Sequence, residues 1–290
     1  MPTATRPSAQ RDIPVRRLDV GLRDADVDRW IVQGDPIFSH FVATLSAVFP
    51  RGEEFFVSTV RAHRGVCADD PVLKAQVKGF IGQEAMHGRE HRRLNARLDE
   101  LGYYTADAER AIGRAVSAVI RLRPRTLPLA VTAAAEHLTG IFAEVALDDQ
   151  RTREVLFAHP DIQALITWHA LEELEHKNVA FDVLARAGGG YVIRVLGFAV
   201  TMTVLAGSVV CSWTRARARD RRHIGPAERR RFRRNLRRQK LVSVWSLRRL
   251  LRYLRPGFHP DDMDTDHLVA QWRERLADRT TETAAIRRPA

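Results

Sequence analysis

The chain has 290 residues, 45% hydrophobic and 28% charged, a globular composition that excludes intrinsic disorder. Two cysteines, Cys67 and Cys211, exclude a disulfide framework and a thiolate metal cluster. They fit a reducing compartment and leave His and carboxylates as ligands for any metal. The net charge of +12 is concentrated: residues 214–255 hold 17 Lys and Arg against 2 acids, so the remainder is slightly acidic.

Residues 1–35 read as an irregular lead-in, interrupted by Pro2, Pro7, Pro14 and Gly34. Its polar, basic start has no apolar h-region, so no secretory signal is expected. The first helical pattern follows Asp35-Pro36, an acidic cap with proline in the first turn, and runs to residue 64 with a bend at Pro50. A second helix is expected over 70–102, a shorter one over 106–122, and a third long helix over 128–150. A fourth opens at His159-Pro160-Asp161 and stops at Gly188-Gly189-Gly190. Residues 195–213 then carry no charge, and an Arg-rich helical stretch over 229–254 and a last helix near 266–277 follow. Neither strand alternation nor a solenoid repeat persists. The expected fold is all-α: a four-helix bundle over 36–187 and a C-terminal apolar, then basic, helical appendage over 190–290.

Read in steps of three or four, the second helix presents Val77, Phe80, Glu84, His87, His91, Leu94 and Leu98 on one face. The fourth presents Ile162, Leu165, His169, Glu173, His176, Ala180 and Val183. The third places Glu136 among Leu129, Ala133, Gly140 and Ala143, and the first places Glu53 among Phe49, Phe56 and Val60. Four apolar seams thus each carry a carboxylate. Buried carboxylates without counter-charge are prohibitively costly. Two divalent cations would neutralise them, because a Glu and a His three residues later share one helix face. The expected ligands are Glu53, Glu84, His87, Glu136, Glu173 and His176. This is the donor arrangement of ferritin-like di-iron and di-manganese carboxylate bundles. The competing reading, solvated polar faces, requires both Glu-x-x-His pairs to fall on apolar seams by chance. An oxygen-rich donor set favours iron, with manganese and zinc as alternatives.

Further residues depart from the minimal set. His91 and His169 are extra ligands, partners that orient the carboxylates, or core histidines. Glu172 could replace Glu173 by a small rotation, and His63 is a weaker ligand candidate ten residues after Glu53. His137 and Glu144 read as interhelical or surface groups. No zincin motif, phosphate loop or serine elbow is present.

Phe49-Pro50-Arg51-Gly52-Glu53-Glu54-Phe55-Phe56, Gln83-Glu84-Ala85-Met86-His87, Glu136-His137-Leu138-Thr139 and the block from Trp168 to Lys177 resemble the bacterial family of predicted metal-dependent hydrolases. Tyr253-Leu254-Arg255-Pro256-Gly257-Phe258-His259-Pro260 is similar too. The resemblance covers residues 35–260, with 169–177 its most distinctive part, and it implies a metal site.

The leading expectation is an enzyme with a carboxylate-bridged metal pair. Iron would support O₂-dependent oxidation of an apolar or lipid-like substrate. Redox-inert ions would support hydrolysis of an ester or amide by a bridging hydroxide. A non-catalytic metal-binding or membrane-associated structural protein is the third class.

Residues 195–213 are long enough to span a bilayer, but a span would separate the bundle from the Arg-rich segment that should stay with it on the cytoplasmic side. Peripheral contact at the inner membrane face resolves the conflict, with Trp213, Trp245, Arg248, Arg249 and Arg252 as expected contacts. Nucleic acid is disfavoured, since the basic run has few aromatics placed for stacking. A homo-oligomer stays open.

Overall fold

The computed structural model describes residues 11–21 and 27–282. The expectations for Pro2, Pro7 and the polar start lie in part outside the described residues.

The described residues are all-α apart from two three-residue strands, β1 (Arg16–Leu18) and β2 (Thr280–Glu282). These pair antiparallel, Arg16 opposite Glu282, and tie the lead-in to the end of the described chain. The lead-in is therefore not wholly irregular. The short ladder could not be read from sequence because three residues carry no periodicity.

The main helices begin where the caps dictate. In α1 (Pro36–His63), Asp35 Oδ1 accepts from the Ile37 and Phe38 amides, each at 3.0 Å. α1 runs unbroken through Pro50. In α2 (Pro71–Glu100), Asp70 accepts from the Leu73 amide. α3 (Thr105–Val119), α4 (Thr126–Asp148) and α5 (Gln150–Leu156) follow. The expected fourth helix is two: α6 (Pro160–His176) and α7 (Val179–Arg186). The break falls at Lys177-Asn178. Lys177 turns aside to donate to Met263 O and Thr265 Oγ1, and Asn178 donates to Asp182 inside α7.

α1 packs on α2, α2 on α6, α6 on α4, and α4 on α1. Two apolar clusters occupy this ring at different levels. One gathers Phe38 and Val42 of α1, Leu94 and Leu98 of α2, Ala143 of α4, and Leu165 and Trp168 of α6. The other gathers Phe55 and Val60, Val77 and Phe80, Leu129 and Ala133, and Val179 and Val183 of α7. On α1, α2 and α4 the Glu and His of the seam lie between the helix's contributions to the two clusters, and those of α6 lie between Leu165 in the first cluster and Val179 of α7 in the second. They form a polar layer inside the ring, closed above and below by hydrocarbon.

Residues 191–282 wrap this unit. α8 (Tyr191–Thr201) continues through a π turn at Met202–Ala206 into α9 (Gly207–Arg219). α8 lies hard against α4. Thr201 Oγ1 donates to Val131 O at 3.0 Å, and a Cβ on Gly197 would sit 2.6 Å from the Ala130 carbonyl carbon. The Arg-rich stretch is not one helix but two, α10 (Pro226–Arg238) and α11 (Val244–Leu251). Gln239 adopts an extended conformation between them, and Ser243 caps α11. In α12 (Asp266–Leu276), Leu268, Trp272 and Leu276 join the first apolar cluster.

Two residues expected at a membrane are turned inward. Trp213 Nε1 donates to Ile37 O at 2.9 Å, and its ring meets Phe41 and Phe232. Arg249 clamps Glu144 through two nitrogens. Trp245 is half-buried beneath Lys240 and Arg249. Arg248 is exposed and Arg252 half-buried. Sequence periodicity could not separate these faces, because the partner surface of each helix is set by tertiary packing.

Candidate metal centre

The polar layer brings Glu53 of α1, Glu84 and His87 of α2, Glu136 of α4, and Glu173 and His176 of α6 together. None of the six is more than 4% exposed. Glu53, Glu84 and His87 each offer a donor atom within 4.8 Å of the others, and so do Glu84, Glu136 and His176. Glu84 therefore belongs to both groups. Glu173 Oε1 also stands between them, 3.8 Å from His87 Nδ1 and 3.7 Å from His176 Nε2. His169 joins this set: with His87 and Glu173 it forms another such group, and with Glu53 and His91 a fourth.

The donor atoms test whether a metal pair fits. Both carboxylate oxygens of Glu53, Glu84 and Glu136 are buried without a hydrogen bond, as are His87 Nδ1 and His176 Nε2. His176 Nε2 lies 3.2 Å from Glu84 and 3.3 Å from Glu136, yet without hydrogen-bond alignment. Native interiors leave few polar atoms unpaired. Eight converging in one layer is a site built for cations, and His with Glu is the donor chemistry of divalent iron, manganese or zinc.

The other ring nitrogen of each histidine is occupied. His87 Nε2 donates to Glu172 Oε2 at 3.0 Å, and His176 Nδ1 donates to Gln83 Oε1 at 2.9 Å. These bonds fix the ring orientations and turn His87 Nδ1 and His176 Nε2 toward the carboxylates. Glu172 is therefore not a substitute for Glu173 but the group that orients His87. Arg16 from β1, 6% exposed, bonds both Glu172 and Glu175. Arg273 of α12 also reaches Glu175, which accepts from Gln83. The scaffold behind the two histidines thus draws on both ends of the described chain.

A hydrogen-bonded row leads to the same place. Asn95 Nδ2 donates to Ser46 O, so its Oδ1 accepts from the Ser46 hydroxyl at 2.7 Å. The Ser46 oxygen then accepts from His91 Nδ1 at 2.9 Å, and His91 Nε2 accepts from His169 Nδ1 at 2.8 Å. This order leaves His169 Nε2 as a lone pair 2.9 Å from Glu173 Oε1. Two lone pairs at that distance require a proton or a metal cation at the junction. The row therefore aims His169 into the donor set, while His91 is the residue behind it.

The electrostatics follow from burial and crowding. Desolvation, then the neighbouring carboxylates, pushes Glu53 and Glu136 well above the usual carboxylate range. Burial also raises Glu84, against the pull of His176. Burial opposes the charge on Glu173 too, but His169 and His176 beside it hold it well below. Burial and the other imidazoles keep His87 well below the ordinary imidazole value. His176 is held well above it, against burial, by Glu136, Glu173 and Glu84. Excess negative charge is thus the unsolved electrostatic problem of the layer, and divalent cations answer it.

The remaining expected residues lie apart. His63 bonds Thr59 O on its own helix and joins no convergent group among the described residues. Glu54 faces outward to Arg51 and Arg92. His137 reaches the Arg249 and Leu250 carbonyls of α11. The sequence reading missed Gln83, Ser46, Asn95, Thr139 and Arg16. Thr139, which bonds Glu173, stands three residues after Glu136, so its place on the seam was a usable signal. Arg16 gave none.

Residues 14–264 match the family described as predicted metal-dependent hydrolases. No curated protein and no solved structure matches the chain. With its length matched almost throughout and its buried His and Glu donors converging in one layer, the chain belongs to the family of predicted metal-dependent hydrolases.

Proposed function

We propose that the chain is a hydrolase working through two divalent cations in a ferritin-like four-helix frame. Glu53, His87 and His169 would hold one ion and Glu136 and His176 the other, with Glu84 and Glu173 shared. The observation that carries this reading is the set of eight donor atoms buried in one layer without a hydrogen bond. A bound pair would supply Lewis acidity and an activated water for attack on an ester or amide carbonyl. The chain's own part is positional. Glu172 and Gln83 hold the rings of His87 and His176 in place, and the two apolar clusters exclude bulk water from the layer. Thr139 donates to Glu173 and keeps its second oxygen from rotating away. The test is hydrolysis of a panel of chromogenic esters and amides by zinc- and manganese-loaded protein. Activity should be lost in Glu84→Ala. A folded, metal-supplemented protein that binds no metal would end the proposal.

One observation favours a second reading, O₂-dependent oxidation by an iron pair. Glu84, His87, Glu136 and His176 are each 1% exposed or less. Dioxygen can permeate a packed bundle, whereas an ester-bearing substrate needs an opening between helices. Rapid O₂ uptake by ferrous-loaded protein, without ester cleavage under any metal, would replace the hydrolase reading.

A further inference from the structure

The helix running from α8 into α9 has one satisfied face and one unsatisfied face. Its most apolar window has a mean hydropathy of 2.0 but is only 22% buried, whereas the apolar window of α4 is 89% buried. The inner face is held to α4 by Gly197 and Thr201. Arg194, the one charge in residues 191–214, is also turned inward, donating to the Tyr253 and Arg255 carbonyls. The exposed positions between 191 and 214 therefore carry no charge. At the helical rise this stripe is about 35 Å long.

α11 extends the stripe. Tyr191 Oη donates to Leu254 O at 2.9 Å, and Phe198 stacks on Tyr253, so the start of α8 and the end of α11 are neighbours. Val244, Leu247 and Leu251 share one face of α11 and are 65%, 52% and 47% exposed. Val192, Leu196 and Val210 on the longer helix are 67%, 48% and 54% exposed. Soluble monomers rarely leave contiguous apolar surface of this extent open.

Charge identifies the occupant. Arg215 and Arg221 are exposed beyond one end of the stripe, and Arg248 and Arg255 are exposed at the other. A second copy laid on the stripe, parallel or antiparallel, would bring a basic end onto a basic end, and like charges across an interface are costly. An anionic lipid surface meets both requirements. Its acyl boundary takes the aliphatic side chains, and its headgroups take the arginines.

We propose that the exposed face of α8, α9 and α11 is a peripheral docking surface for anionic membranes, with the helix lying on the bilayer and not across it. The inner face of α8 is already committed to α4, the helix that carries Glu136, so crossing would strip α8 from the bundle.

The experiment is vesicle co-sedimentation of the full chain. The probes are pure phosphatidylcholine vesicles and vesicles with about one-third phosphatidylglycerol, whose anionic charge attracts nearby Lys and Arg. Binding should require the anionic lipid and fall at least about tenfold between ~0.05 M and ~0.5 M salt, over which screening tightens severalfold. Leu196→Asp with Leu247→Asp should lower partitioning by about tenfold or more, with melting temperature and metal content unchanged. Both residues are exposed, so folding is preserved. Arg248→Glu offers an independent check, since it should weaken binding to anionic vesicles alone. Three results would overturn the proposal. The first is no binding to anionic vesicles at low salt, or equal binding by the double variant. The second is a dimer in ultracentrifugation that the double variant converts to monomer, which would make a second copy the occupant. The third is membrane association that resists both salt and alkaline extraction, which would mean a span.

Discussion

His87 and Glu172 meet across α2 and α6 with Nε2 3.0 Å from Oε2, and this contact decides which nitrogen of His87 faces the centre. Glu172 is in turn bonded by Arg16, so the carboxylate is anchored from behind. In Glu172, Oε2 is bonded by His87 and Oε1 by Arg16, so exchanging it for Gln replaces one of these acceptors with an amide nitrogen that cannot accept. Groups of this kind are worth about 10–100-fold in metal affinity. We expect Glu172→Gln to lower affinity for the more weakly held ion by that order, read by chelator competition. Unchanged affinity would mean that His87 does not ligate.

The shared position of Glu84 makes a stoichiometric prediction. Glu84 belongs to both donor groups, whereas Glu136 belongs to one. Elemental analysis should find close to two ions per chain in the wild type, none retained in Glu84→Ala, and close to one in Glu136→Ala. Retention of one ion by both variants would show that Glu84 does not bridge.

How much of this could be read in the sequence depends on where each group sits on its helix. Glu53, Glu84, His87, Glu136, Glu173 and His176 interrupt apolar seams, and a periodic background makes an interruption visible. The groups behind them do not. Gln83 lies one residue off the seam of Glu84, and Ser46 and Asn95 look like ordinary helix polars until α1 and α2 are packed together. Arg16 reaches Glu172 across 156 residues from a strand of three. The break after His176 was equally hidden, since the helical pattern continues through Ala180 and Val183 while Lys177 answers to the Met263 carbonyl and the Thr265 hydroxyl. Helix faces of the appendage were misassigned at Trp213 and Arg249 for the same reason: an amphipathic pattern tells that a face is apolar, not what covers it.

Gly197 sets the distance between α8 and α4. A Cβ there would approach the Ala130 carbonyl carbon to 2.6 Å and its oxygen to 2.7 Å, both backbone atoms that cannot rotate away. Overpacking of this kind typically costs about 1–3 kcal/mol. Gly197→Ala should therefore lower the melting temperature by several degrees, on the order of 2–4 °C for each kcal/mol in a chain of this size class. An unchanged melting temperature would mean that α8 is free to shift outward.

The last prediction concerns acid stability and uses a group far from the metal layer. His40 on α1 is 1% exposed, and its Nε2 lies 3.0 Å from Asp220 Oδ2. Burial holds its pKa below the ordinary value, and Arg29 and Arg217 add to that effect against the attraction of Asp220. The folded pKa is thus lower than the unfolded one of about 6.5. Between those two values the unfolded chain binds more protons than the folded chain. The contribution of a neutral His40 to stability is therefore complete above pH ~6.5 and is lost as pH falls toward the folded value. Glutamine keeps a hydrogen-bonding group at this position but does not titrate. The melting-temperature advantage of the wild type over His40→Gln should narrow as the pH is lowered from ~7.5 to ~5. Comparing the two proteins cancels the titration of the buried carboxylates common to both. If the advantage widened instead, the Asp220 charge would outweigh burial, and His40 would be protonated in the folded chain.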